Sequence, residues 1–235
     1  MLDSDGYPIN DGPISESSHY IVSVNSIEKY FGQDLKHLTG AFLFSSLTSI
    51  PENIFANCPN ILSFLDTFKG CSALTTIPEN LFANNPEVTE FIGTFDGCSA
   101  LTTIPEKLFA HNTKVTVFGG TFSECTALIA IPKGLFVHNP KVTDFEQTFW
   151  GCTSLTSIPT SLFDNNRKVT SFSETFYNCS DLTGESPYTM IGDKKVHLYE
   201  RADYPKHFTE PTDFLDCFYD CTGLTDYAQI PTNWK

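Results

Sequence analysis

The residue types that perform catalysis or bind metals occur in this chain without the spacing that either task requires. His111 and His138 lie one 27-residue step apart. Two imidazoles without a third ligand make a poor metal site, and Asn84 and Asn165 hold the equivalent positions, which indicates a solvated turn. The phosphate-loop, nucleophile-elbow and zinc-helix motifs are all missing. We therefore predict no catalytic residue, no metal and no cofactor, and hence no enzyme.

Charged residues recur at the same step of 27. An acidic column continues as Lys133 and Thr160, which is typical of a solvated edge rather than of the paired acids of a glycosidase. A basic column could steer an anionic partner, although a solvated ladder is the reading we favour. The acidic column is Glu52, Glu79 and Glu106, and the basic one is Lys114, Lys141 and Lys168.

The chain has eight cysteines, and five of them keep the 27-residue step: Cys71, Cys98, Cys125, Cys152 and Cys179. Side chains at equivalent positions point the same way, and disulfide geometry does not suit such a pair. Free cysteine behaves as a small buried hydrophobe, so the spacing predicts a buried ladder of thiols. Cys217 and Cys221 fall outside the regular step and are the best disulfide candidates.

One column changes from polar to aromatic along the chain. It follows the second residue of each Thr-Phe pair and reads Lys69, Asp96, Ser123, Trp150, Tyr177 and Tyr219. Its polar members indicate that the position faces solvent, and stacked exposed rings are typical of binding hot spots. Trp150, Tyr177 and Tyr219 are therefore the predicted ligand contacts. The alternative is that they pack beneath the aromatic segment between 183 and 211.

These columns exist because the chain repeats. Ile-Pro pairs begin at residues 50, 77, 104, 131 and 158, and Thr-Phe pairs begin at 67, 94, 121, 148 and 175. Of the 21 phenylalanines, 15 fall into three columns of five, which are, in order, 55/82/109/136/163, 64/91/118/145/172 and 68/95/122/149/176. A unit of this length cannot bury its apolar face alone, so stacked units must bury like residues on like.

Local chemistry indicates how each unit is folded. The Leu-Thr-Thr-Ile stretch suits a short strand because threonine and isoleucine favour extended backbone. Proline then ends the strand, since it cannot donate to a ladder. Asn-Asn-Pro at 84–86 and His-Asn-Pro at 138–140 are turn signals. We expect a second extended stretch at Val-Thr-x-Phe and an irregular or 3₁₀ arc at Thr-Phe-x-x-Cys.

The ends of the repeat region degrade, as terminal repeats do. We predict a tail or linker over residues 1–25, a solenoid with a degenerate first repeat over 26–182, and an insertion with a capping repeat over 183–235. In the last of these, Phe214, Phe218, Cys221 and Leu224 echo the earlier landmarks.

The repeat pattern is recognisable as a motif. Thr-Phe-x-x-Cys-x-x-Leu-x-x-Ile-Pro, followed by Val-Thr-x-Phe, resembles the BspA-like leucine-rich repeats of bacterial surface proteins over residues 27–182 and again over 212–231. This unit is longer than is usual in that family, with an added Leu-Phe-x-x-Asn segment. The resemblance implies a right-handed solenoid, export to the cell surface, and a role in adhesion or protein binding.

The fold class we predict is accordingly an α/β repeat solenoid of leucine-rich-repeat type. It has one or two short parallel strands in each 27-residue repeat and an irregular or 3₁₀ convex side. The formal net charge of −14 argues against nucleic acid and against attraction to an anionic membrane surface. Apolar runs are also too short to span a membrane.

The function we predict is an extracellular or cell-surface binding module for a host or bacterial protein or a glycan. The alternative is a structural spacer or self-assembly domain of a larger surface protein. Residues 1–11 are polar and acidic, unlike a signal peptide. We therefore expect an export signal to be absent from the sequence as it stands.

Overall fold

A computed structural model describes residues 35–235, so the predicted tail over 1–25 and the start of the first repeat lie outside the described residues. Two strands, β1 (Tyr188–Ile191) and β2 (Lys194–His197), form an antiparallel hairpin. Three 3₁₀ helices follow at Leu198–Asp203, Tyr227–Gln229 and Thr232–Trp234. No α-helix occurs within 35–235, so the helical part of the predicted α/β class is not found in this range.

The remainder of the described chain forms a parallel ladder with one pairing per repeat. Its successive partners are His37, Ser63, Glu90, Val117, Asp144, Ser171 and Asp213. A second ladder pairs Thr103, Ala130 and Ser157 in the same way. Each turn of chain between successive ladder partners is called a rung below. Both predicted extended stretches are thus present, but each is reduced to a single bridge rather than a strand of several residues.

A residue in the left-handed region of backbone conformation ends the Val-Thr-x-Phe stretch. The second residue after each Phe of the 64/91/118/145/172 column has a positive φ, as at Gly93 (58°) and Gln147 (54°). Glycine reaches this region without strain, whereas other residues adopt it at a cost. The N–H of Gly93 donates to the carbonyl of Gly119 on the next rung at 2.8 Å. The turn therefore ends the strand while keeping the rungs hydrogen-bonded.

Phenylalanine columns that run through successive rungs form the core. All members of the three predicted columns are buried. Within a column, neighbouring rings are nearly parallel, with centroids 5.4–6.3 Å apart. Rings of the first column also meet those of the second at an angle, as Phe109 meets Phe118 at 4.7 Å. Tilted and offset pairs are the favourable aromatic arrangements, so the repeat's excess of phenylalanine becomes one continuous core.

Buried polar side chains tie the rungs together. Asn85, Asn112, Asn139 and Asn166 each donate through Nδ2 to two carbonyls of the preceding rung, at 2.8–3.4 Å. The buried threonines of the Thr-Phe pairs donate to preceding carbonyls in the same manner, as Thr121 Oγ1 does to Phe91 at 2.8 Å. Carbonyls buried at the turns need donors, and these side chains supply them.

The cysteines form the predicted ladder of thiols. All eight are free and buried, and Cys98 Sγ lies 3.3 Å from the carbonyl of Phe68 on the preceding rung. Cys221 continues this column, at 3.0 Å from the carbonyl of Phe176. The suggestion of a disulfide between Cys217 and Cys221 is therefore wrong, because Cys221 is directed into the thiol ladder.

Burial makes these thiols unreactive. It raises the pKa of Cys221 to about 12, and it raises that of Cys125 well above its ordinary value. Because the thiolate is the reactive form, we expect none of the eight cysteines to react readily with a disulfide reagent at pH 8 in the native protein. All eight should react once the chain is unfolded in guanidinium. Rapid labelling of the native protein, or fewer than eight reactive thiols after unfolding, would contradict this expectation.

The asparagine ladder ends on a residue of the 183–235 segment. Arg201, which is 1% exposed, donates to the carbonyls of Asn166 at 3.0 Å and Phe163 at 2.9 Å. These are the two acceptors that an asparagine of a further rung would use. Its guanidinium lies 4.4 Å from the ring centroid of Phe208. Burial lowers the pKa of Arg201 to about 9.

Trp234 closes the phenylalanine columns at the same end. Its ring stacks on Phe214 with centroids 4.7 Å apart and also contacts Phe172 and Phe218. The carbonyl of Trp234 accepts the N–H of Phe218 at 2.7 Å. Both the polar and the apolar ladders therefore end against side chains of this segment rather than in open solvent.

Candidate binding surface

Three aromatic side chains lie side by side on the outside of the last rungs. The rings of Trp150 and Tyr177 stack with centroids 5.8 Å apart, and those of Tyr177 and Tyr219 with centroids 4.6 Å apart. Tyr219 is 47% exposed, and the other two are partly exposed. We call Trp150, Tyr177 and Tyr219 the aromatic stripe.

The local fold explains why this column faces outward. The preceding Phe149 is buried in the core, and its N–H donates to the carbonyl of Thr175 on the next rung at 2.9 Å. Trp150 comes one residue later, where the chain has already turned away from the core. Gly151 then takes a positive φ of 68°, and this turn returns the chain to the core at Cys152.

The hydrogen bonds that hold the 183–211 segment in place are made to residues outside the stripe. Tyr188 donates to the carbonyl of Thr160, and Thr209 donates to that of Arg167, each at 2.8 Å. With Arg201, these contacts hold the segment against residues 160–167. Within the described chain, the ring contacts of the stripe are those between its own members. Whether the three residues contact a ligand stays a prediction.

An open groove of about 270 Å³ lies where the same column is polar, toward the N-terminal rungs. Its lining includes four carboxylates, namely Asp66, Asp96, Asp144 and Glu146. Lys69 is the one cation among the described lining residues. Lys69 is already paired, with Nζ 2.9 Å from Asp96 and 3.8 Å from Asp66. The groove is therefore acidic and lies next to the stripe, since Gln147 lines it three residues before Trp150.

Partial burial, and after it the proximity of like charges, raises the pKa of several carboxylates on this surface. Partial burial raises the pKa of Asp144, and nearby Asp213 raises it further. The pKa of Glu146 is raised by partial burial and then by Asp144, Asp213 and Glu174. The pKa of Glu124 is raised by partial burial and by Asp96. The negative charges of neighbouring rungs thus repel one another, and a nearby cation would relieve that repulsion.

The other predicted columns lie apart from this surface or are individually exposed. Among residues 35–235, no group of three or more potential ligand side chains is arranged to hold a metal. His111 and His138 are both exposed, as the solvated-turn interpretation requires. In the basic column, Lys114, Lys141 and Lys168 are all exposed, as a solvated ladder requires. Lys114 also pairs with exposed Glu87 at 2.6 Å.

The sequence did not predict one partly buried ionisable cluster. His197, at the end of β2, lies 3.3 Å from Glu200, 3.4 Å from Glu185 and 3.5 Å from Asp226. Asp226 also accepts from the hydroxyl of Ser186 at 2.5 Å. The cluster ties the β1–β2 hairpin to the final segment of the chain. No repeat places these residues in register, so the sequence held no signal for it.

In comparisons with known proteins, this chain is similar to solved structures but matches no family model or curated sequence. A leucine-rich repeat protein of T. pallidum is 18% identical, with 76% of this chain and 80% of that one covered and a TM-score of 0.38. A leucine-rich cell surface protein of Faecalibacterium prausnitzii is 16% identical, with 87% and 76% covered and a TM-score of 0.30.

A leucine-rich repeat protein of Bacteroides ovatus is also similar, at 20% identity, with 85% and 68% covered and a TM-score of 0.17. Bacterial leucine-rich repeat proteins are thus among the structures the chain is similar to, as its BspA-like motif implies. The parallel ladders described above, rather than these TM-scores, establish the solenoid. Within residues 35–235, no helix has the length and apolar character needed to cross a membrane.

Proposed function

We propose that this protein is a non-catalytic binding module of leucine-rich-repeat type that mediates adhesion by contacting a protein or a glycan. The observation that carries the proposal is the aromatic stripe, in which three stacked rings remain accessible on adjacent rungs. The stacked phenylalanines of the core are all buried, so an exposed stack requires a separate explanation. Trp and Tyr are enriched among residues that dominate binding energy.

The rigidity of the scaffold supports this function. Trp150 and Tyr177 each follow a phenylalanine that is fully buried in a column, and their rungs are joined by a 2.8 Å bond from the Gly151 N–H to the Tyr177 carbonyl. Side chains held in place before binding lose less entropy when a partner arrives. We propose that the module works outside the cell or at its surface, as the resemblance to surface proteins implies.

Removing the stripe should abolish most of the binding. We expect Trp150→Ala and Tyr177→Ala each to weaken binding to a partner found on a host-protein or glycan array by about thirtyfold, the effect of a hot spot of about 2 kcal/mol. Titration of the wild-type and variant proteins by surface plasmon resonance measures this change.

Ile129→Ala is the matched control, because Ile129 is 52% exposed and lies on the second ladder, away from the stripe. Its affinity should remain within about twofold of wild type, as expected for an apolar residue outside the contact. Equal affinities for wild type and both stripe variants would remove the stripe from the binding surface.

A further inference from the structure

Several carboxylates lie near the aromatic stripe. Asp216 and Asp220 flank Tyr219 in sequence, and both take a positive φ, 54° and 61°. Glu174 comes three residues before Tyr177 and accepts a 2.8 Å hydrogen bond from Gln147 Nε2. All three carboxylates are close enough to Tyr177 to raise the pKa of its hydroxyl, after the contributions of desolvation and Tyr219. The rings therefore lie in a negative field.

The negative field extends beyond the stripe. The carboxylate of Glu124 on the preceding rung lies beside Gly151, where a Cβ would be 2.9 Å from its Oε1. Gly151 directly follows Trp150. The acidic groove adjoins this end, and Lys69, the one cation among its described lining residues, is already paired. Aromatic faces and unneutralised carboxylates are thus combined on one continuous surface.

We propose that the partner of this surface is a basic polypeptide segment, whose arginine or lysine side chains lie over the stripe and among its carboxylates. The inference rests on the proposed binding function and names its partner class. A cation over the face of Trp or Tyr is attracted by the ring quadrupole, and the carboxylates add a Coulomb attraction of the same sign. A neutral glycan gains from the rings but leaves the repelling carboxylates unneutralised.

The dimensions of the surface suit an extended segment. The stripe covers two rung spacings, about 10 Å, and an extended chain covers that length in about three residues. Leu215, four residues before Tyr219 on the same rung, is exposed and adds an apolar side chain to this part of the surface. A segment with basic residues at alternate positions can therefore direct two cations at the rings while its backbone follows the column.

The probe for the test is a fluorescein-labelled ten-residue peptide that alternates arginine and glycine, with a glutamate–glycine peptide as the opposite-charge control. Its binding to the full chain is measured by fluorescence anisotropy at physiological salt. The target variant combines Glu174→Gln, Asp216→Asn and Asp220→Asn. Gln147 holds the position equivalent to Glu174 on the preceding rung, and asparagine tolerates positive φ, so these changes fit the backbone.

A control variant removes three negative charges elsewhere. It combines Glu52→Gln, Glu79→Gln and Glu106→Gln, all of them exposed and outside the stripe and the groove lining. We expect the target variant to bind the arginine peptide at least about tenfold more weakly than wild type, and the control to change affinity by less than about twofold. Tyr177→Ala, which keeps every charge, should also weaken binding by about tenfold.

Equal losses in the two triple variants, or unchanged affinity in Tyr177→Ala, would show that net charge alone attracts the peptide and would overturn the inference. Absence of arginine-peptide binding would overturn it too. If an array partner still depends on Trp150 and Tyr177 in that case, the proposed binding function stands and its partner is a glycan or a non-basic protein. If neither dependence is found, both proposals fall.

Discussion

Phe118→Ala is expected to lower the free energy of unfolding by about 4 kcal/mol, within the range for removing a buried phenylalanine. The Phe118 ring is fully buried and lies in the central rung. It stacks on Phe91 and Phe145, each at 5.8 Å, and meets Phe109 and Phe136 at 4.7 and 4.8 Å. Alanine would leave a cavity that touches three rungs at once. Guanidinium denaturation followed by circular dichroism measures the loss.

A solenoid couples each rung only to its neighbours, so this substitution should also broaden or split the unfolding transition. Phe44→Ala is the matched control, because Phe44 is 67% exposed and the chemical change is identical. We expect it to cost less than about 1 kcal/mol. Similar losses of unfolding free energy in the two variants would mean that the Phe118 ring is not stacked in a core.

Asn85→Asp is expected to cost about 4 kcal/mol at pH 7. Asn85 is fully buried, and its Nδ2 donates to the carbonyls of Cys58 at 2.8 Å and Phe55 at 3.2 Å. Among the described residues, no donor faces its Oδ1. An aspartate would therefore place an unpaired negative charge against two carbonyl oxygens. Keeping that carboxyl protonated at pH 7, well above its ordinary pKa, costs about 4 kcal/mol.

The same substitution carries a pH signature. The folded-state pKa of the new carboxyl lies above its unfolded value, so the deficit relative to wild type should shrink by about 1.4 kcal/mol per unit as the pH falls from 7 toward 4. Asn84→Asp is the control, because Asn84 is the neighbouring residue and is exposed. A small cost there, independent of pH, is expected. Equal costs at 84 and 85 would argue against an asparagine ladder.

The core of this fold could be predicted from sequence because strict register converts sequence position into spatial neighbourhood. Once Ile50 and Ile77 are known to be equivalent, every residue between them acquires a partner 27 residues away. The three phenylalanine columns and the thiol ladder follow from that single inference. Burial can then be predicted without further information, because equivalent residues of successive repeats share one environment.

The features that could not be predicted depend on residues outside the register. Arg201 replaces an asparagine of the ladder from 35 residues beyond Asn166, and no spacing signals this. The reduction of strands to single bridges depends on positive φ at positions that hold aspartate, glutamine and glutamate as well as glycine. The residue types at this position do not predict a positive φ, because only some of them are glycine.

The aromatic stripe was predictable in part. Register placed Trp150, Tyr177 and Tyr219 in one column, and the polar residues earlier in that column indicated that it faces outward. The arrangement of carboxylates around the stripe was not predicted. Glu124 and Glu174 stand in two different turn columns, and the two columns come together only through the geometry of the turn.

The central claim is that each repeat is one rung of a single ladder, so that distance depends on rung number and not on sequence separation. Spin labels on cysteines introduced at Lys36, Thr143, Thr170 and Thr212 test it, because the native thiols are buried. These four positions belong to rungs whose backbones are hydrogen-bonded in succession. Electron paramagnetic resonance then measures the distance from position 36 to each of the other three.

The ladder predicts about 19, 24 and 29 Å for the partners at 143, 170 and 212, which is about 4.8 Å for each rung. The last step should be as short as the one before it, although it crosses 42 residues rather than 27. Equal increments would support the stacked solenoid and the surface built on it. Distances that fail to rise in order, or a last increment scaled to chain length, would contradict it.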